Sequence, residues 1–469
     1  MKPAGTRTEH DAMGPVEVPE AAYWGASTQR ALANFPISGK TFPRPFIAAL
    51  GLIKAAAAQA NHELGLLPPE LALAIAKAAW EVADGRWDDQ FPVDVFQTGS
   101  GTSTHMNANE VIANRAAELL GGRRGDRVVH PNDHVNLGQS SNDVIPTTVH
   151  LAALLTLRDR LLPALTRLET ALNQKADAFW PVVKTGRTHL QDAIPVRLGQ
   201  EFGGYAAQVG QARVRLDQAR RELSAVALGG TAVGTGFGAH RRFAERALFH
   251  LSEAAGVAVH ETGNHFAAQA SLDGVVAASG AVRGAALALV KVAGDIALLG
   301  SGPRAGYGEI TLPAVQPGSS MMPGKVNPVI AEALIQACAQ VVGNDAAIAF
   351  AAQRGAFELN TMWPVAGCNL VGSMELLAAA AGVFCERCVV GITATGRGPA
   401  LVASGLALAT ALVPAIGYDR AAAIAREAAE TGRTIPEVAR ERTNLSDAEL
   451  ARLLDPASMT GPGDGTEDT

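Results

Sequence analysis

Apolar positions recur along much of this chain in steps of three and four. The clearest run is Phe202, Tyr205, Val209, Ala212, Leu216, Ala219, Leu223 and Val226, a seam along one side of a helix that predicts a bundle partner. Ahead of it, Leu161, Leu165, Leu168, Leu172 and Phe179 follow helical spacing, with Pro163 expected to kink the early part. A third long apolar helix is predicted over 271–299. A fourth, over 329–350, is apolar nearly all round, as a buried helix would be. Segments 47–61, 69–83 and 107–120 also have helical composition, punctuated by Gly65, Pro68, Gly121 and Gly122. Residues 1–46 read as an irregular arm. Residues 396–469 are smaller and more charged, with short helices predicted over 421–430 and 435–442 and a disordered Gly/Asp/Thr tail. The expected organisation is an N-terminal domain over 1–142, a central helical bundle over 143–395 and a small C-terminal helical domain over 396–469. Long helices that are apolar on more than one face need further chains to cover them, so the fold class is mainly α, a bundle completed by oligomerisation.

Polar loops interrupt these helices. Gln97-Thr98-Gly99-Ser100-Gly101-Thr102 enters a helix with closely spaced hydroxyls and backbone N–H groups, and lacks the Gly-Lys-Ser ending of a nucleotide loop. The run from His130 to Asp143 is almost entirely polar and feeds a helix around Pro146. Its His and Asp residues match no helical metal-ligand spacing. A break at 184–192 contains Thr188-His189-Leu190-Gln191-Asp192, and 228–236 is a Gly-rich helix terminator. Gly318-Ser319-Ser320-Met321-Met322-Pro323-Gly324-Lys325-Val326-Asn327 carries paired hydroxyls and a cation toward the next helix, where Asn327 is read as N-cap and Pro328 as first helical residue. Cations, hydroxyls and helix N-termini together suit a small carboxylate.

Composition narrows the reading. The 469 residues are 48% hydrophobic but only 5% aromatic, which favours close-packed helices. A net charge of −6, with both signs interspersed, gives no reason to invoke nucleic acid or an anionic membrane. The start lacks an apolar signal core, and no long uninterrupted apolar run predicts a membrane span. The four cysteines fit a reducing cytoplasm rather than a disulfide framework, and Cys385-x-x-Cys388 reads as buried small residues rather than a metal or redox pair.

These loops resemble, in order and spacing, those of class II fumarases within the fumarase/aspartase superfamily. His130-Pro131-Asn132-Asp133, Ser140-Ser141-Asn142-Asp143, Gly186-Arg187-Thr188-His189, Gly300-Ser301-Gly302-Pro303-Arg304 and Phe357-Glu358-Leu359-Asn360 belong to the same match. Gly324 and Thr98-Gly99-Ser100-Gly101 look more like fumarases than aspartases. The resemblance implies a three-domain fold around a central bundle, a homotetramer whose active sites draw on three subunits, and reversible hydration of fumarate to L-malate in the citric acid cycle, with no cofactor or metal. It further implies Ser319 as the base at C3 of malate, and His189, backed by Glu332, handling the hydroxyl proton through a water. Ser100, Gly101, Thr102, Ser140, Ser141, Asn142, Thr188, Ser320, Lys325, Val326 and Asn327 would hold the carboxylates. Arg127 and His130, Pro131, Asn132 and Asp133 would line a second dicarboxylate site.

The residue types suit that chemistry. Loss of the C3 proton places charge on the adjacent carboxylate, which Lys325, Asn327 and helix N-termini can stabilise. A serine hydroxyl acts as a base only if its alkoxide is stabilised, and a histidine beside a glutamate moves protons near neutral pH. The chain departs from the usual pattern at His105, where Asn is common, and at Leu137-Gly138, Asn264-His265-Phe266-Ala267 and Ala297. An ammonia-lyase acting on aspartate or a lyase of a substituted succinate is therefore the alternative. A non-catalytic oligomeric scaffold on the same fold is a more distant one.

Overall fold

The computed structural model describes residues 5–462; the end of the predicted tail, 463–469, lies outside the described residues. The N-terminal arm is more regular than its composition suggests. Strands β1 (Thr6–Asp11) and β2 (Gly14–Pro19) form an antiparallel hairpin, followed by helix α1 (Ala26–Asn34). Gly14, at φ +109°, makes the turn. The Thr6 and Thr8 hydroxyls each donate to Glu17 across the hairpin at 2.6 Å. These cross-strand bonds have no sequence-local signature.

Next come α2 (Arg44–Glu63), α3 (Pro69–Ala83), α4 (Thr102–Leu119) and α5 (Ser141–Thr156). Both α4 and α5 begin about five residues earlier than expected: a left-handed Gly101 turns the chain into α4, and a Ser140 capping box starts α5. Helix α6 (Leu162–Ala178) continues from α5 through a wide π turn over Leu157–Leu161. That turn absorbs Pro163, whose ring would otherwise meet the carbonyl one turn back. The segment read as a break is instead a second hairpin, β3 (Val183–Thr188) and β4 (Gln191–Arg197). Then follow α7 (Leu198–Leu223), α8 (Phe243–Ala255), the short α9 (His265–Ala270), α10 (Asp273–Leu299), α11 (Val329–Ala352) and α12 (Trp363–Arg387). Every residue of the predicted seam from Phe202 to Val226 is buried, as are Leu161, Leu165, Leu168, Leu172 and Phe179.

The chain divides into two compact units, one of residues up to 163, 212–286 and 337–379, the other of 164–211, 287–336 and from 380 on. In the first unit α2 packs on α3, α5 and α8. A Cβ on Gly51 would lie 2.7 Å from the Ala83 nitrogen, so this position admits only glycine at the α2–α3 contact. In the second unit the β3–β4 hairpin packs beside a helix at Arg397–Ala403. The C-terminal residues build their own core from Leu412, Ile424, Ile435, Val438 and Leu450. Helices Tyr418–Thr431 and Ile435–Arg442 match expectation, while Asp447–Leu453 and a turn at Pro456–Met459 extend order into the predicted tail. Arg197 and Gln200 hold Thr460 by side-chain bonds of 3.1 and 2.7 Å.

Helices α10 and α11, and α12 extended to Gly391, are long and apolar enough to cross a membrane by length and composition alone. Contrary to the expectation of a buried helix, much of α11 is uncovered within the chain, with Phe350 61% exposed. Asp345 of α11 accepts from Ser279 and Arg283 of α10 at 2.6 Å each. All four cysteines are free, and Cys338, Cys385 and Cys388 are buried. Burial pushes the Cys388 thiol up to about 12.

Candidate active site

A chain of hydroxyls joins two helix starts in the first unit. Ser100 Oγ lies 2.7 Å from Thr102 Oγ1, which lies 2.7 Å from Ser141 Oγ. Thr102 opens α4 behind Gly101, whose φ of +73° makes the turn into the helix. Ser141 opens α5 behind Ser140, which caps it: Asn142 N–H donates to Ser140 Oγ at 3.2 Å, and Ser140 N–H donates to Asp143 Oδ1 at 2.9 Å. The second Asp143 oxygen accepts from the Gly229 and Thr231 N–H groups at 3.0 and 2.9 Å, which ties the Gly-rich turn to the start of α5. Asn142 Nδ2 donates to the Ala232 carbonyl at 2.7 Å. The result is an array of hydroxyls at the positive ends of two helices, a setting that favours an anion. It borders a cavity of about 340 Å³ lined by Thr102, His105, Asn136, Gln139, Ser140 and Ser141, among others.

Behind this wall lies a residue that sequence reasoning missed. Lys54 of α2 is fully buried and gives its ammonium to His105 Nε2 at 2.8 Å, Gln139 Oε1 at 2.9 Å and Asn136 Oδ1 at 3.2 Å. Burial pulls Lys54 down to about 7, with the Asp143 carboxylate opposing. Burial and the neighbouring Lys54 hold His105 well below the usual imidazole range. One signal was available: a lone lysine inside the apolar run from Gly51 to Ala58.

In the second unit Thr188 and His189 occupy the tip of the β3–β4 hairpin. Thr188 pairs with Gln191, and His189 and Leu190 take φ values of +55° and +62°. Two consecutive non-glycine residues in that region make a tight hairpin turn at some cost in strain. The hairpin is held from below: Arg187 Nη2 donates to Glu309 Oε1 at 2.7 Å and stacks 4.4 Å from the Tyr307 ring. Lys184, itself buried, sits 3.1 Å from the other Glu309 oxygen and 2.9 Å from Glu201.

The loop from Gly318 is closed by its own bonds. Gly318 N–H donates to the Lys325 carbonyl at 2.8 Å, and Asn327 Nδ2 donates to the Gly318 carbonyl at 2.7 Å. Asn327 thus spans the loop instead of capping α11. The carbonyl of Pro328 accepts from Glu332 N–H at 3.1 Å, so Pro328 occupies the cap position and not the first helical one. Ser319 Oγ accepts from the Met321 and Met322 N–H groups at 3.1 and 2.9 Å. Ser320, Lys325, Val326 and Glu332 are exposed. Among the described residues the side chains of His189, Lys325 and Glu332 have no hydrogen-bond or ion-pair partner. A Cβ on Gly318 would fall 2.5 Å from the Lys325 carbonyl oxygen. Gly318→Ala should therefore spring the loop and lower kcat/KM about 100-fold through misplacement. The melting temperature should barely move, because the loop is exposed; steady-state kinetics beside a thermal melt checks both.

Arg127, His130, Pro131 and Asn132 line a separate cavity of about 400 Å³ in the first unit, together with Glu9, His10 and Asp11 of β1. Arg127, at φ +53°, bonds the His10 carbonyl. Asp133 does not line this cavity. Its N–H donates to His130 Nδ1 at 3.1 Å and its exposed carboxylate sits 3.2 Å from the same nitrogen.

Known proteins resemble this chain over nearly its whole length. Residues 14–343 fit a family model described as lyase, and 408–461 one described as fumarase C C-terminus. A class II fumarate hydratase of Halobacterium salinarum is 57% identical over 97% of both chains, and one of Methylorubrum extorquens is 51% identical over 97% of both. Among solved structures, a class II fumarase from Schistosoma mansoni has a TM-score of 0.95 at 38% identity, covering 97% of this chain and 99% of that one. A fumarate lyase:delta crystallin from Brucella melitensis, bound to cobalt, has a TM-score of 0.94 at 46% identity, covering 98% of this chain and 100% of that one. The family models, the identities and the solved structures agree over nearly the whole length, and the chain belongs to the class II fumarase family.

Proposed function

We propose that the protein hydrates fumarate reversibly to L-malate, using no cofactor. The observation that carries this reading is the Ser100–Thr102–Ser141 hydroxyl array at two helix N-termini, in a chain 57% identical to a class II fumarate hydratase. In the malate-to-fumarate direction, Ser319 takes the C3 proton and the charge moves onto the adjacent carboxylate. Lys325, Asn327 and the helix N-termini stabilise that charge. His189 delivers a proton through a water to the C2 hydroxyl, which leaves as water; Glu332, which does not bond His189 within one chain, backs it in the assembled site. Ser100, Gly101, Thr102, Ser140, Ser141, Asn142, Thr188, Ser320 and Val326 position the two carboxylates, and Arg127 and His130 to Asn132 form a second dicarboxylate site. The exposed apolar faces of α10 and α11, and the unpartnered His189, Lys325 and Glu332, support a homotetramer whose sites are completed by neighbouring copies. The free thiols support a reducing, cytoplasmic location. The core of its own at 408–454 supports treating 396–469 as a separate domain beside 1–142 and 143–395.

The test is loss of fumarate absorbance in metal-free buffer, with and without ammonium. Loss without ammonium, with malate as product, is expected. Loss only with ammonium would establish the ammonia-lyase alternative, which His105 keeps in play. No loss in either buffer would sink both.

A further inference from the structure

We propose that Lys54 is a positioning residue for dicarboxylate binding: through His105, Asn136 and Gln139 it fixes the starts of α4 and α5 and the hydroxyls that they carry. The inference rests on reading that array as a carboxylate cradle. An ammonium has three N–H groups, and all three are used here, on acceptors from α4 and from the loop before α5. His105 stands one turn after Thr102 on α4, and Gln139 immediately precedes Ser140. The Gln139 amide is itself oriented, since its Nε2 donates to the Val135 and Leu137 carbonyls at 3.1 and 3.2 Å. Asn136 Nδ2 in turn donates to the Gln139 carbonyl at 3.1 Å. His105, Asn136 and Gln139 all line the cavity that Thr102, Ser140 and Ser141 border, whereas Lys54 does not. The lysine thus acts through these three residues and touches no substrate.

The charge is the telling part. A fully buried cation normally has an anionic partner. Among the described residues Lys54 makes no ion pair, and the nearby Asp143 carboxylate is occupied by the N–H groups of Ser140, Gly229 and Thr231. Asp143 therefore acts on the ammonium only through space, and the cavity in front of Lys54 is rimmed with donors. A dicarboxylate in that cavity would add a second carboxylate to the one that Asp143 supplies. When Lys54 donates to His105 Nε2, the imidazole is neutral with its proton on Nδ1. An asparagine oxygen could accept the same bond; an aliphatic side chain could not.

The experiment compares Lys54→Met, His105→Leu and His105→Asn with the wild type in the full-length protein. It measures kcat and KM for fumarate and the Kd of succinate by calorimetry. Lys54→Met and His105→Leu should each raise KM and the succinate Kd about tenfold, with a much smaller effect on kcat, as befits the loss of a charged hydrogen bond. His105→Asn should recover most of that loss. If Lys54→Met does not fold, the two His105 variants decide. Succinate bound as tightly by His105→Leu as by the wild type, with fumarate still hydrated, would overturn this inference alone. A wild type that binds no succinate would overturn the dicarboxylate reading together with it.

Discussion

Replacing Ser319 by alanine is expected to lower turnover about 1000-fold, the usual range for losing a general base. Fold and assembly should be unchanged. The hydroxyl's surroundings are the reason. A serine becomes a competent base only where its alkoxide is stabilised, and Ser319 Oγ already accepts two backbone N–H bonds, from Met321 and Met322. Those bonds also fit a simpler role, because a serine side chain can hold a turn by bonding the backbone two and three residues on. Succinate separates the two. If Ser319 is the base, the alanine variant binds succinate normally and loses only kcat. If the hydroxyl merely shapes the loop, Lys325 and Asn327 shift with it, and succinate affinity falls in step with turnover. Native mass and a thermal melt should match the wild type in the first case.

How much of this was readable in the sequence depends on how local the cause is. The seam from Phe202 to Val226 is a short-range pattern, and every one of its residues is buried. The Ser140–Asp143 capping box is equally local, and it explains why α5 starts ahead of Pro146. The β3–β4 hairpin was not legible. Its strands are short, contain Gly186 and Pro195, and turn at His189-Leu190, where no glycine announces a positive φ. Asn327 carried a strong N-cap signal, but a bond across the loop to Gly318 claims its side chain. Lys54 shows the same limit. Its charge was visible in an apolar run, while the three acceptors that explain it come from positions 51 to 85 residues away. For α11, apolarity all round was read as burial, yet the covering surface is not in the chain's own fold.

Lys184→Met should be the most destabilising single change near the hairpin, costing about 3–5 kcal/mol. Lys184 and Glu309 are each about 1% exposed, and Lys184 also bonds Glu201 at 2.9 Å and its neighbour's carbonyl at Thr185. Methionine fills a similar volume, so the cost comes from charge. Two carboxylates are left with Arg187 alone, which bonds only Glu309. Burial already pushes the Glu201 carboxyl up, and Lys184 is what pulls it back. Without the lysine, Glu201 binds its proton more tightly when folded than when unfolded. Its penalty is therefore full above the raised folded value and fades as pH falls toward that of an ordinary carboxylate, about 4.3. Chemical denaturation at pH 7.5 and about pH 5 should show the deficit shrinking at the lower pH. Arg433→Met, which breaks an exposed pair with Glu441, is the control and should leave stability nearly unchanged. A loss equally small for Lys184→Met would mean that desolvation nearly cancels attraction in the buried cluster. The hairpin that carries His189 would then owe its position to strand pairing and packing, not to the charges beneath it.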